Sequence, residues 1–457
     1  MKDLSDKDLV NAASMLDYSV DAFRARIPTS MHLEEKASET LALEVVQTVD
    51  FDCPVYIERA DGCRLIDVDG NSYIDLTMGF GAHVLGLRPR SVEAAIKEQA
   101  GKGWHFGIHN QLQFQLADLI AAARPNNEQI AFCNSGTEAT MYAFRLARAI
   151  TGKAKIGVFD GAYHGAHDYA LVKVDPTSCV TKPRAVLDGA GIPSWVRDES
   201  AIALPYCHPA AFDQIRENKD DLALVCVQPV QNNNPSLDNK EWLAELIQVC
   251  HDCNVLCLFD EVVSGFRLAY GGAQEVFELT PDFTVYGKSI GGGLPVGAIA
   301  GPRAIMEGFK SVSTDSGVFF GGTFNGNPLT MAAGVGALGT LSKDRDIIYP
   351  ALNARSDRLV KDINTFAQDN EFPFQAVNAG SLICFHFQSE RIRSFRDLNN
   401  RGSFAERAFY VELLNYGVLV PAIHLAFLSH AHNDTDVDMI VDAVKASLFA
   451  IRDMKLI

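Results

Sequence analysis

The chain contains no run of the roughly 18 or more apolar residues that a membrane-spanning helix requires. Its first residues, MKDLSDKDLV, lack the apolar core of a secretory signal, so a cytoplasmic protein is expected. Positive charge is in short supply: 40 Lys and Arg stand against 57 Asp and Glu, a net charge of −17. That balance argues against nonspecific binding to nucleic acid or to anionic membranes. The ten cysteines are scattered, mostly inside apolar runs, which suits reduced thiols. Cys250-His-Asp-Cys253 has metal-like spacing, but no second Cys-x-x-Cys completes a zinc site. Cys250 and Cys253 are expected to close a helix, with Cys257 in the strand that follows. Gly79-Phe80-Gly81 lacks the third glycine of a dinucleotide fingerprint and follows hairpins, so no nicotinamide site is expected. There is no internal repeat and no low-complexity tract.

At 457 residues the chain suits one large enzyme-like domain and a smaller one. Residues 1 to about 50 read as helical, with Ser5 as a cap, a break at Pro28 and a second helix over Glu34–Val49. From 54 to 78, Asp61-Gly62 and Asp69-Gly70 are turn dipeptides between alternating segments, the pattern of an antiparallel meander. From Ser91 onward helices and short apolar strands alternate: helices at Ser91–Ala100 and Gln111–Ala123, strands at Gln129–Cys133, Ile156–Phe159 and Leu222–Val227. Continuous apolar strands in such a rhythm imply an α/β fold with a mainly parallel sheet. Residues 176–200, with three prolines, read as an irregular excursion. MAAGVGALGTL after Pro328 is a small-residue helix that must pack closely. The expected division is 1–80 (helices and meander, part of the small domain), 81–330 (large domain) and 331–457 (C-terminal small domain).

The stretch Val255–Gly297 concentrates the chemistry. A buried strand, Val255–Phe259, delivers Asp260 and Glu261; a second, Phe283–Tyr286, is followed by Lys288 and the glycines 291–293. Ligands of open α/β sheets bind outside the carboxyl ends of the strands. A buried salt bridge is the plainer reading of an acid and an amine there. The glycine segment tips the balance, because it lets backbone approach a ligand closely. Pyridoxal phosphate suits this pair: it needs a lysine for its aldehyde, an anion against its pyridine nitrogen and a phosphate cup. Ser135-Gly136-Thr137 at a helix N-terminus offers the cup, Tyr163 a ring that could stack on a flat cofactor, and Thr323 a further hydroxyl. Alone, each has a plainer explanation, as an N-cap, a core aromatic and a loop hydroxyl.

NSGTEA (134–139), YHG (163–165), FDEVVSGFR (259–267), YGKSIGGGLPVG (286–297) and GGTFNGNPLTMAAG (321–334) resemble class III aminotransferases, in order over roughly residues 50–440. Within that class the chain resembles the glutamate-1-semialdehyde aminotransferase branch. DLTMGFG (75–81), AFCNSGTEA (131–139), PVQ…P (229–235) and FLSHAHNDTDVD (427–438) are more similar still to aminotransferase domains of hybrid polyketide/nonribosomal peptide synthetases. The resemblance implies fold type I and a homodimer with its sites at the subunit interface. It implies Lys288 as the Schiff-base lysine and Asp260 as the pyridinium partner. Ser135, Gly136 and Thr137 would hold the phosphate, Tyr163 would stack on the ring, and Val263 would lie beside the cofactor. Thr323 would reach the phosphate of the other subunit's cofactor. Gln228-Pro229 departs from the usual Glu-Pro, and Asn325-Gly-Asn from the Cys-Lys-His of many synthetase-embedded domains. The implied reaction moves an amino group from an amino-acid donor to a β-ketoacyl or aldehyde acceptor, free or held on an acyl carrier protein. An aminomutase and a noncatalytic scaffold are the rival expectations.

Overall fold

The computed structural model describes residues 6–42, 53–309, 317–399, 403–420 and 425–457, with side chains from residue 15 onward. Its centre is a seven-stranded sheet in the spatial order Gln129–Cys133, Gly297–Gly301, Phe283–Gly287, Leu256–Asp260, Leu222–Val227, Lys155–Phe159, Ala201–Leu204. Gly297–Gly301 runs antiparallel to both neighbours, and the other recorded pairs are parallel. Leu222–Val227 and Phe283–Gly287 are buried along their whole length, which is why they read as continuous apolar runs rather than alternating ones.

Helices supply the covering layers. Gly136–Thr151 buries Ala139, Tyr142, Ala143, Leu146 and Ala147, an i, i+3, i+4, i+7, i+8 stripe, against the sheet. The small-residue helix is Pro328–Lys343, and its composition follows from what it touches. A Cβ on Gly334 would lie 2.4 Å from the carbonyl oxygen of Ile290, so only glycine lets this helix sit on the turn that follows Lys288.

The meander is Ile57–Asp61, Arg64–Asp67 and Ser72–Asp75, antiparallel throughout; Val418–Leu419 then joins it parallel to Ser72–Asp75. A third sheet is built from Gln375–Ala379, Leu382–His386 and Ala426–Phe427. Chain ends far apart in sequence are thus hydrogen-bonded together, with Phe427 N donating to Leu76 O and His430 N to Val84 O, both at 2.8 Å.

Two local expectations are corrected. The first helix ends at Arg24, so the run does break before Pro28, but the second helix is Pro28–Ala37, with Pro28 in its first turn, and starts ahead of the expected Glu34. Asp69 from the meander turn accepts from Thr29 N (2.7 Å), Ser30 N (2.9 Å) and Ser30 Oγ (2.9 Å), capping that helix from a distance. Residues 43–49 of the expected Glu34–Val49 helix, and Ser5, lie outside the described residues. The 176–200 excursion is less irregular than expected, containing a short strand at Ala185–Leu187 and a helix at Ser194–Ser200. Cys253 does cap the Lys240–Asp252 helix, Cys257 is in the strand, and among the described residues no disulfide joins two cysteines.

Candidate active site

The strands ending at Cys133, Phe159, Val227, Asp260 and Gly287 all point their carboxyl ends to one edge of the sheet. Asp260 pairs with Val285 on the adjacent strand, so Lys288 emerges three residues further on beside it. The two acids at the end of Leu256–Asp260 have separate fates. Glu261 is fully buried and accepts from Ser264 Oγ (2.9 Å), Ala273 N (2.6 Å), Gln274 N (3.2 Å) and Gln274 Nε2 (3.1 Å). Burial raises its pKa, and those donors only partly offset the effect. Its acceptor sites are taken by neighbouring structure. Asp260 turns to the site: Oδ1 accepts from Val262 N (3.1 Å) and Oδ2 lies 2.7 Å from Nδ1 of the buried His164. A carboxylate only accepts, so His164 carries its proton on Nδ1.

Cys226 Sγ lies 3.4 Å from the same nitrogen, and the three residues form a buried cluster of metal-ligating types. Burial, and the charge of Asp260 after it, push the Cys226 thiol far up, so it stays protonated beside the pair. The cluster is better described as a carboxylate held by a histidine.

Lys288 follows Gly287 in the left-handed region, with φ of 46°, a strained backbone for a side-chain-bearing residue. Its Nζ donates to Phe80 O at 2.7 Å. Burial first, then the nearby Arg267 guanidinium, lower its pKa to about 8, while Asp260 pulls in the opposite direction. Roughly a tenth of the amine is therefore unprotonated at pH 7, against well under roughly a thousandth at the ordinary lysine value, which enlarges the form that acts as nucleophile or general base.

Ser135 is the N-cap of Gly136–Thr151 and its Oγ accepts from Glu138 N (3.0 Å). Thr137 Oγ1 accepts from Ala166 N (3.2 Å). Both hydroxyls keep their own protons for donation, and the N–H groups of Gly136 and Thr137 stand at helical positions with no intrahelical acceptor. A Cβ on Gly165 would lie 2.7 Å from Thr137 Oγ1, so the Tyr163-His164-Gly165 loop is drawn directly onto this cradle. Tyr163 is 54 % exposed and so is no core aromatic. Gln228, on the neighbouring strand end, accepts from Tyr163 N (3.4 Å) and donates to Tyr163 O (3.1 Å). Val263 is buried just beyond Asp260. Thr323 is exposed in a turn whose Asn325 accepts from Asn134 Nδ2 at 2.7 Å, next to the Ser135 cap.

The donor set fits pyridoxal phosphate: an amine with lowered pKa, a buried carboxylate on the next strand end, and an N-terminal helix cradle with two hydroxyls. Sequence reasoning had missed three participants. His164 was visible only as part of the Tyr163 loop. Arg267 closes FDEVVSGFR and is buried in full, which its charge alone would not suggest. The Phe80 carbonyl had no signal, since a backbone atom leaves none.

This architecture is that of a pyridoxal-phosphate enzyme. The chain belongs to the class III aminotransferase family, whose model matches residues 46–444, and its cofactor is pyridoxal 5′-phosphate. It is 38 % identical over 395 residues to glutamate-1-semialdehyde 2,1-aminomutase of Methylacidiphilum infernorum, covering 86 % of this chain and 89 % of that one. It is similar in structure to an omega-transaminase from Sphaerobacter thermophilus, with a TM-score of 0.86 and 30 % identity over 93 % of this chain and 98 % of that one. A beta-phenylalanine aminotransferase from Variovorax paradoxus has a TM-score of 0.81 and 28 % identity over 95 % of this chain and 97 % of that one. Among the described residues no helix is long and apolar enough to cross a membrane.

Proposed function

We propose that the chain moves an amino group from an amino-acid donor to an external carbonyl acceptor, with Lys288 as the cofactor-bearing and proton-moving residue. The observation that carries this reading is the Lys288 amine, lowered in pKa and held by the Phe80 carbonyl beside Asp260. When bound, pyridoxal phosphate supplies an electron sink for a carbanion next to the transferred nitrogen. Asp260 would hold a proton on the ring nitrogen, and His164 would aim that carboxylate by donating from Nδ1. Ser135, Gly136 and Thr137 would bind the phosphate, the exposed ring of Tyr163 would cover one ring face, and Val263 would pack beside it. Lys288, once released, would take the proton from the donor's α-carbon as general base and return it as general acid.

The acceptor in this reading is a β-ketoacyl or aldehyde group, free or on an acyl carrier protein, in secondary metabolism. The support is the resemblance, read from the sequence, of residues 75–81, 131–139, 229–235 and 427–438 to synthetase-embedded aminotransferase domains. A homodimer is typical of the family, and Trp104, Phe106, Ile108, Phe114, Phe319 and Phe324 are exposed apolar side chains that a second copy would cover. Thr323 lies in the same exposed segment and would reach the partner's phosphate. Residues 1–80 and 331–457 would form the small domain and 81–330 the large one, a division supported by the pairing of Ser72–Asp75 with Val418–Leu419. Cysteines without a disulfide among the described residues agree with a cytoplasmic setting.

A second reading, a 2,1-aminomutase, is favoured by the identity to proteins bearing that name. The deciding experiment offers holoenzyme glutamate-1-semialdehyde alone and, separately, donor amino acids with β-keto and aldehyde acceptors, free and carrier-bound, all read by mass spectrometry. Amino transfer to an added acceptor supports the transaminase. Isomerisation of the semialdehyde without a donor, and no external transfer, replaces it with the mutase. A protein that binds the cofactor and turns over neither set is a scaffold.

A further inference from the structure

Arg267 is fully buried, and among the described residues no carboxylate pairs with it. Its Nη1 donates to Ser381 Oγ (3.1 Å) and Leu428 O (2.9 Å), its Nη2 to Gly81 O (2.8 Å), and its Nε has no partner. The Phe427 ring lies 5.1 Å from the guanidinium carbon. A buried cation without a counter-ion is costly, and a hydrogen-bonded staple between segments could be made by a neutral side chain. The placing of the charge supplies a reason for it. Gly81 and Phe80 belong to one turn, and its adjacent carbonyls receive two basic groups: Phe80 O takes Lys288 Nζ and Gly81 O takes Arg267.

That turn is unusual in its own right. Met78, Gly79, Phe80 and Gly81 have φ of 43°, 59°, 54° and 88°, four successive left-handed residues of which two carry side chains. Asp75 clasps its base by accepting from Thr77 N (2.7 Å) and Met78 N (3.1 Å). Such a conformation persists only where its surroundings enforce it. Here they fix the direction of the Phe80 carbonyl and with it the lysine amine.

We propose that Arg267 is a positioning residue for Lys288: its bond to Gly81 holds the Phe80 carbonyl that aims the amine, and it sets a fixed positive charge beside that amine. The proposal rests on the reading of Lys288 as the cofactor lysine. The groups facing the pair can be named from each neighbouring element. Asp260, from its strand end, favours the ammonium form and so opposes Arg267. His83, beyond the turn, is held neutral by burial and then by Arg267 itself. Tyr349 faces Arg267 from the Arg345–Asp369 helix, donates to Phe266 O (2.9 Å), and is kept protonated by burial.

The test uses cofactor-free chain. Pyridoxal phosphate is added across a pH series, the initial capture is fixed with borohydride, and the labelled peptide is weighed. Wild-type capture at Lys288 should show a midpoint near 8. In Arg267→Gln the midpoint should rise by about one unit, so capture near neutral pH falls about tenfold. Arg267→Lys keeps the charge but cannot span the same acceptors, so its midpoint should stay near the wild-type value while cofactor retention weakens. Label on Lys288 with an unmoved midpoint in Arg267→Gln overturns the proposal. If that variant does not fold, a wild-type midpoint in the ordinary lysine range, or a raised midpoint in Arg267→Lys, overturns it equally. Absence of label from Lys288 in the wild type sinks the cofactor reading instead.

Discussion

Asp260 and His164, 96 residues apart in sequence, meet in the buried interior with Oδ2 2.7 Å from Nδ1. Asp260 ends one strand of the sheet and His164 lies in the loop that follows another, Lys155–Phe159, and both are buried. A carboxylate so held is fixed in direction before any ligand arrives. That is what a protonated ring nitrogen requires of its partner.

Asp260→Asn keeps the shape and removes the anion. The chain should still bind pyridoxal phosphate, but the rate at which a donor amino acid is consumed in a single turnover should fall about 10- to 1,000-fold. Stopped-flow absorbance measures it, and unchanged single-turnover kinetics would remove Asp260 from the proposed role.

Lys288→Ala removes both the covalent anchor and the proton carrier. Turnover should drop at least about 10²–10⁴-fold from the general acid–base loss alone. The cofactor should remain bound through the Ser135-Gly136-Thr137 cradle, detected as intact pyridoxal phosphate by native mass spectrometry. A variant retaining more than a tenth of wild-type turnover would contradict the assignment.

Gln228→Glu tests why an amide stands where relatives by resemblance carry an acid. The Gln228 amide satisfies both backbone groups of Tyr163, donating to one and accepting from the other. A carboxylate can only accept, so it would face the Tyr163 carbonyl without a proton and cost about 1–3 kcal/mol. Burial should raise the new carboxyl's pKa in the folded chain. The deficit should therefore be small below the unfolded glutamate pKa and grow as pH rises through the folded one. Melting temperatures across pH 4 to 9 read this directly; a variant equally stable throughout would mean that the amide is not needed as a donor.

Thr323 is exposed in the single chain, as a residue serving a partner's site would be. Thr323→Ala should remove one hydrogen bond to a charged group, worth about 1.5–3 kcal/mol, and so weaken cofactor retention roughly tenfold or more. Mixing Lys288→Ala chains with Thr323→Ala chains then separates two arrangements. With shared sites a heterodimer has one site with both lesions and one with neither, and activity rises above either parent. No rescue, with subunit exchange verified by mass, would assign Thr323 to its own chain's cofactor.

The amino-acid order by itself determined the local parts. Buried strands announced themselves as short runs of β-branched and aromatic residues, Ser135 as a cap before a helical stripe, and Lys288 as the basic residue between a strand end and a glycine segment. Those signals are local because an apolar run, a capping side chain and a glycine segment after a strand are each read from residues a few positions apart. Tertiary structure decided the rest. Nothing local distinguishes Asp260 from Glu261; the N–H groups of Ala273 and Gln274 claim one and His164 the other. The Pro28–Ala37 helix begins where it does because Asp69 reaches its first turn from the meander. The Lys288 amine is aimed by a carbonyl 208 residues away, and that carbonyl's turn is held by an arginine 186 residues from Gly81. Such contacts depend on the order in which strands lie in the sheet. Local periodicity says that a strand exists, and only the packed sheet says which strand ends stand side by side.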